Sequence, residues 1–203
     1  KGRVKQALEM HDLHRQLLQH LMAAGAIGED ELLQLMKSLV QGYAHDLGND
    51  SRYSKYIRPG TSKASVDECV TVLNKELEFF SLKVVKAHSV AEKKFYYGVV
   101  NLVNDEAAQK ATSFSASQVV LFSKVKGLIQ EAQVGDHPGS IDCMAAENAR
   151  QTIGTGVPAI DASAAEEAIR KLVEQKWLSL VQDGDDVYQL GPRSILNAQY
   201  TGS

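Results

Sequence analysis

Residues 166–197 read EEAIRKLVEQKWLSLVQDGDDVYQLGPRSILN. Ile169, Leu172 and Val173 recur at i, i+3 and i+4, which places three apolar side chains on one helical face. Trp177-Leu178-Ser179-Leu180-Val181 then reads as a strand. Asp183-Gly184-Asp185 is a tight-turn signal, and Val187-Tyr188-Gln189-Leu190 is the returning strand. Gly191-Pro192 punctuates before a short helix over 193–198. A helix followed by a hairpin whose apolar side folds back onto it is the closing half of a winged helix.

The same pattern stands upstream. Met10, Leu13, Leu17, Leu18, Leu21 and Met22 predict a first helix over roughly 4–23, ended by Gly25, where positive φ is tolerated. Ile27 is isolated and apolar. Glu29 or Asp30 opens a second helix that runs to Val40, with acidic residues at its positive end. Residues 42–64 read as a loop. A third helix covers 65–76, the β-rich stretch LEFFSLKVVKA covers 77–87, and the chain returns as a strand over 95–103. A second copy opens at Ser115, with Gln118 three residues on as a capping box. It continues through a helix that includes Val119 and Ile129, a weaker helix over 140–152, a Gly/Pro/Ala linker over 154–163 and a third helix over 164–175. The expected fold class is therefore α+β, mainly helical: two tandem winged-helix domains, 1–110 and 111–203, each of three helices and a hairpin.

At 203 residues the chain can bury a core in each of two such domains. Hydrophobic residues make up 44% and charged residues 23%, ordinary values for a globular protein. A formal net charge of −3 excludes a global basic field drawing the chain onto nucleic acid or acidic membrane. No apolar run approaches the ~20 residues of a membrane span, and the opening residues do not read as a secretory signal. Cys69 and Cys143 lie far apart and outside any CxxC spacing, so they are expected to be reduced thiols.

Each third helix would face the major groove if the domains read DNA. The first offers Asp67, Glu68, Lys75, Glu76 and Glu78; the second offers Glu166, Glu167, Arg170, Lys171, Glu174 and Lys176. Carboxylates there repel phosphate. The better candidates for phosphate contact are Arg52, Lys55, Arg58 and Lys63, in a loop where basic and aromatic residues alternate. The alternative for that loop is a solvated segment. His11 and His14 stand at i, i+3, but no cysteine or carboxylate cluster completes a tetrahedral metal site. Gly154-Thr155-Gly156 has neither a strand before it nor a P-loop lysine after it, so it reads as linker. No catalytic residues and no cofactor are assigned.

The strand 95–103 is apolar on both faces: Phe95, Tyr97 and Val99 point one way, and Tyr96, Val100 and Leu102 the other. A lone wing normally has one wet face. The expected partner-binding residues are therefore Phe95, Tyr96, Tyr97 and Val99, with an exposed flank of the first helix at His14 and Gln16. The competing expectation is that the second domain covers this face. Trp177 is expected to pack between the third helix and the hairpin, near Ile169, Val173 and Tyr188.

Three stretches taken together resemble one known family. They are His14-Arg15-Gln16-Leu17-Leu18-Gln19-His20-Leu21-Met22 followed by Gly25-Ala26-Ile27; Phe95 through Glu106 (FYYGVVNLVNDE); and Lys176-Trp177-Leu178 with Gly191-Pro192-Arg193-Ser194-Ile195-Leu196. In that order, over nearly the whole chain, they are similar to non-SMC element one, a subunit of the Smc-five/six genome-maintenance complex. The resemblance implies tandem winged helices of the kite type. It implies as partners a MAGE-type winged-helix protein (non-SMC element three) and a kleisin (non-SMC element four). It further implies a nuclear role in DNA repair and recombination, with DNA near the assembled complex and no membrane. Family members continue into a RING-like zinc domain that confers ubiquitin-ligase activity, and it is expected after Tyr200. No zinc-ligand set stands in this sequence, so zinc and ligase activity are expected of that domain alone. The resulting expectation is a non-catalytic scaffold, and the alternative is a DNA-binding tandem winged-helix regulator.

Overall fold

The computed structural model describes residues 10–45, 61–90, 92–103, 114–132, 139–154, 156–183 and 185–200. Packing divides the chain into two compact units. One holds Lys1–Ala87 and Lys94–Leu102; the other holds His88–Lys93 and Val103–Ser203.

In the first unit, helix α1 (Asp12–Ala24) buries Leu13, Leu17 and Leu21 at four-residue spacing. Residues 4–9 of the predicted helix lie outside the described residues, and the described helix starts at Asp12, where His11 caps it. His11 Nδ1 accepts from Leu13 N at 3.1 Å, and His14 Nδ1 accepts from His11 N at 2.9 Å. Gly25 closes the helix at φ +69°, and its N–H donates to Leu21 O. Strand β1 (Ile27–Gly28) is two residues long and pairs with Tyr97 and Tyr96. Helix α2 (Glu29–Gly42) carries Glu29, Asp30 and Glu31 in its first turn, where the helix dipole favours them. Helix α3 (Lys63–Leu77) is capped by a Ser62–Ser65 box. A 3-10 turn over Glu78–Phe80 follows, then β2 (Leu82–Ser89) and β3 (Lys94–Asn101). The expected strand over 77–87 thus begins five residues late, because helix and turn take its first residues. The sheet order is β1-β3-β2. Asn74 of α3 acts as a further strand partner for β2: its Nδ2 donates to Val84 O at 2.9 Å, and its Oδ1 accepts from Val84 N at 2.7 Å.

The second unit repeats the order. Helix α4 (Ala116–Glu131) starts with the Ser115–Gln118 capping box. Strand β4 (Ser140–Asp142) and helix α5 (Cys143–Asn148), followed by a 3-10 turn over Ala149–Thr152, replace the single helix expected over 140–152. Asp142 ends the strand and accepts from Ala145 N at 2.7 Å, which nucleates the short helix. Helix α6 (Ala162–Glu174) is capped by Asp161, and β5 (Leu178–Asp183), β6 (Asp185–Leu190) and α7 (Pro192–Tyr200) complete the unit. The sheet order is β4-β6-β5, with Leu178 opposite Leu190 and Ile141 opposite Tyr188. Each unit therefore runs helix, short strand, helix, helix, strand, strand, and inserts its first strand beside its last.

Each unit has its own core. In the first, Leu13, Leu17, Leu21, Leu32, Met36, Cys69, Leu73, Val84 and Tyr97 pack together. In the second, Leu121, Val125, Ile129, Ala146, Ala165, Ala168, Ile169, Leu172 and Leu178 do so.

Candidate functional site: the surfaces and junctions of the two units

The motif Lys176-Trp177-Leu178…Gly191-Pro192-Arg193-Ser194 builds the base of the second hairpin. Lys176 turns the chain out of α6 at φ +63°. Trp177 N donates to Leu172 O at 2.8 Å, Gly191 N to Trp177 O at 2.9 Å, Arg193 N to Lys176 O at 3.0 Å and Ser194 Oγ to Trp177 O at 2.6 Å. The Trp177 ring is half-buried against the second core. It lies 5.6 Å from the Phe122 ring, with the Arg193 guanidinium 4.5 Å from its centroid. Ile169, Val173 and Tyr188 belong to the same cluster. The Arg193 stacking was not legible in the sequence. Burial lowers the Arg193 pKa from its ordinary value.

In the first unit a carboxylate node ties three elements. Glu29, at the start of α2, accepts from Lys63 of α3 and Lys86 of β2, each at 2.5 Å. Hydrogen bonds from Lys63 and then Lys86 hold its pKa below the ordinary carboxylate value. The Lys86 ammonium also sits 4.7 Å from the Phe95 ring centroid and 5.1 Å from that of Tyr97. Tyr97 donates its hydroxyl to Asp67 at 3.1 Å, and burial leads the causes that raise its pKa.

These placements re-sort the expected site residues. His14 is fully buried and Tyr97 is 2% exposed, so neither is free docking surface. The expectation of an exposed flank at His14 is corrected: its ring faces inward to cap α1. Gln16 is half-buried, and its carbonyl oxygen is 2.8 Å from His20 Nδ1. Tyr96 and Val99 are half-buried and Phe95 is 44% exposed. On the other face of β3, Val100 is buried and Leu102 is 43% exposed. Lys63 is the first residue of α3 rather than a loop residue, and its charge is engaged by Glu29. Arg52, Lys55 and Arg58 lie outside the described residues.

The third helix of the second unit carries bases that are matched by acids. In α6 Lys171 pairs with Glu167 at 2.7 Å, and Arg170 with Glu174 at 3.3 Å. In α3 the exposed residues include Asp67, Lys75 and Glu76. Among the described residues no group of three His, Cys, Asp or Glu could hold a metal ion. Cys69 is buried with its Sγ 3.9 Å from Met36 Sδ, and Cys143 donates to the Asp186 carbonyl at 3.3 Å. These residues do not fit a RING-type zinc. No described helix is long and apolar enough to cross a membrane.

The class that emerges is a protein of two helix-and-sheet units whose described polar side chains largely secure caps, junctions and neighbouring elements. Comparison with known proteins narrows it. A family model described as "Nse1 non-SMC component of SMC5-6 complex" matches residues 14–197, and the chain belongs to that family. It is 23% identical over 204 residues to the non-structural maintenance of chromosomes element 1 homolog of Mus musculus, covering 98% of this chain and 66% of that protein. The Xenopus tropicalis homolog is 24% identical over 199 residues, covering 96% and 63%. The chain thus spans slightly less than two thirds of the length of these relatives. A solved chain of the "Nse1-Nse3-Nse4 complex" superposes with a TM-score of 0.74 at 19% identity, covering 95% of this chain and 73% of that one.

Proposed function

We propose that this chain is the tandem winged-helix, kite-type part of an Nse1 subunit, a scaffold that docks a MAGE-type Nse3 partner and a kleisin Nse4. Its setting would be the SMC5-6 complex, acting in DNA repair and genome maintenance in the nucleus. The observation that carries this reading is the family match over residues 14–197. The repeated order of helix, short strand, two helices and hairpin supports the winged-helix reading, with domains proposed over 1–110 and 111–203. The likeness to a chain of the Nse1-Nse3-Nse4 complex supports the choice of partners. Zinc and ubiquitin-ligase chemistry belong, in this proposal, to a RING outside these residues.

The second reading is a DNA-binding regulator. The ion pairs that occupy Arg170 and Lys171 speak against it, because a base reader presents such groups to phosphate and base edges.

The test is reconstitution. Co-expressed with an Nse3-type and an Nse4-type subunit, the chain should elute with both as one species of fixed stoichiometry in light-scattering chromatography. Separate elution at micromolar concentration would refute the scaffold reading.

A further inference from the structure

The hairpin of the first unit is preceded by a feature that the second unit lacks. In the second unit α6 passes through Gln175 to Lys176, at φ +63°, before β5. In the first, α3 is followed by the 3-10 turn Glu78–Phe80 and then Ser81, also at positive φ (+54°). Serine in the left-handed region is uncommon and is held there by its surroundings. Here Ser81 N donates to Glu78 O at 3.0 Å, and Leu102 N donates to Ser81 O at 2.8 Å. The turn is thereby fixed against the end of β3, with Leu102 beside it.

Phe79 and Phe80 ride on that turn. They are 89% and 66% exposed, and their rings make an edge contact with centroids 5.3 Å apart. Leu102 is 43% exposed. The stretch LEFFSLKVV is rich in strand formers, and a strand through it would alternate its phenylalanines between faces. The turn instead presents both rings outward. Two phenylalanines and a leucine at these exposures offer roughly 400 Å² of apolar surface, the size of the largest patch on a typical monomer, which is often functional.

The charges around the patch choose among occupants. Glu76 and Glu78 are exposed and flank it in sequence, with Lys75, exposed, and Lys83, half-buried, as the neighbouring cations. Carboxylates on the rim repel the phosphates of nucleic acid and of anionic lipid. In a two-fold pairing of copies each patch meets itself, so these carboxylates would be brought together. An exposed aromatic pair with Glu76 and Glu78 at its edge complements an apolar cleft that offers cations to those two carboxylates on a different protein.

We propose that Phe79, Phe80 and Leu102 form the central anchor of a protein–protein interface whose partner subunit supplies such a cleft. The inference rests on the scaffold reading and adds to it a contact surface distinct from Phe95–Val99. The aromatic pair supplies the dry centre, and Glu76 and Glu78 steer and orient the approach.

The probe is a purified Nse3-type subunit, titrated into the chain by calorimetry, with thermal melting and light scattering of the chain alone as controls. Phe79→Ser/Phe80→Ser should leave the isolated chain's Tm unchanged and weaken binding at least about thirtyfold, the loss expected of a hot spot. Glu76→Gln/Glu78→Gln should slow association several-fold with little change in dissociation. If the parent binds and the double serine variant binds equally well, the patch is not the interface and the scaffold reading survives. If the parent itself fails to bind, both fall. A lower Tm for the serine variant would show that the chain covers its own phenylalanines. A parent dimer converted by the variant to monomer would show that a second copy covers them. Either outcome overturns the proposal.

Discussion

Gly191 lies so close beneath Lys176 that a Cβ on it would meet the Lys176 carbonyl oxygen far inside van der Waals distance and the Leu178 carbonyl carbon at 2.8 Å. Both obstacles are backbone, and both belong to a junction locked by hydrogen bonds from Gly191, Arg193 and Ser194. Gly191→Ala must therefore push the base of β6 away from β5. The expected cost is ~1–3 kcal/mol, the range for forcing an extra carbon into a packed site. Thermal melting of the variant checks it, and an unchanged Tm would contradict the close approach.

Trp177 tests the same junction from its side-chain end. Because the ring is half-buried, Trp177→Ala should cost about 2–3 kcal/mol, below the figure for a fully enclosed aromatic. Arg193→Met should remove the stacked charge while keeping much of the side chain's bulk, and lose roughly 0.5–1 kcal/mol. In a double-mutant cycle monitored by urea unfolding, the two losses should fail to add. Strict additivity would mean that ring and guanidinium do not interact.

Glu29 gives the fold a specific acid sensitivity. Its folded pKa is held below the ordinary value of 4.5, so the stabilisation is fully present above about that pH and is lost as pH falls through the lower folded value. The carboxylate would then no longer bridge Lys63 and Lys86. Glu29→Gln should lower stability at neutral pH and flatten the curve below pH ~4.5. Parallel pH–stability curves for parent and variant would show that the node carries no linkage.

The elements legible in the sequence are those with periodicity or caps. The Leu13–Leu17–Leu21 stripe, the Gly25 stop, the Ser115–Gln118 box and the 178–190 hairpin all emerge where the sequence pattern places them. Strands β1 and β4, at two and three residues, are too short to show alternation, and only a partner strand makes them visible. The burial of His14 is hidden for a different reason. A histidine at the first turn of a helix reads as polar surface until its ring is seen capping the backbone. Phe79 and Phe80 read as strand because composition favours it, whereas the chain turns at Ser81 under long-range constraint from Leu102. A sequence shows which residues are apolar; whether an apolar residue faces the core is settled by such distant contacts.

Phosphate contact by Arg52, Lys55 and Arg58, which lie outside the described residues, is a proposal; Lys63 is left out of its test because its ammonium pairs with Glu29. Contact through such groups should be weak, independent of sequence and strongly weakened by salt. Replacing the three with Ala, in the reconstituted three-subunit complex, should lower affinity for duplex DNA. The salt slope should become shallower by about one for each phosphate no longer neutralised. Equal affinity and slope for variant and parent would remove these three residues from consideration.

Tyr97 and Phe95 are two apart on one strand, yet they answer differently to the same kind of change. Tyr97 is 2% exposed, belongs to the first core and donates its hydroxyl to Asp67. Tyr97→Glu would place a carboxylate in the first core with its charge near Asp67, so the isolated chain should lose cooperative folding. Tyr97→Phe removes only the hydroxyl and should cost about 1 kcal/mol. Phe95 is 44% exposed beneath Lys86, so Phe95→Ser should leave the isolated chain folded, with a melting curve of unchanged cooperativity. If the partner covers the outer end of β3, the same serine variant should bind the Nse3-type subunit more weakly while melting like the parent. Partner titration beside the melting curve separates the two roles. A Phe95→Ser chain that binds normally confines docking to other surfaces, and a Tyr97→Glu chain that melts cooperatively near the parent's Tm would refute the burial of Tyr97.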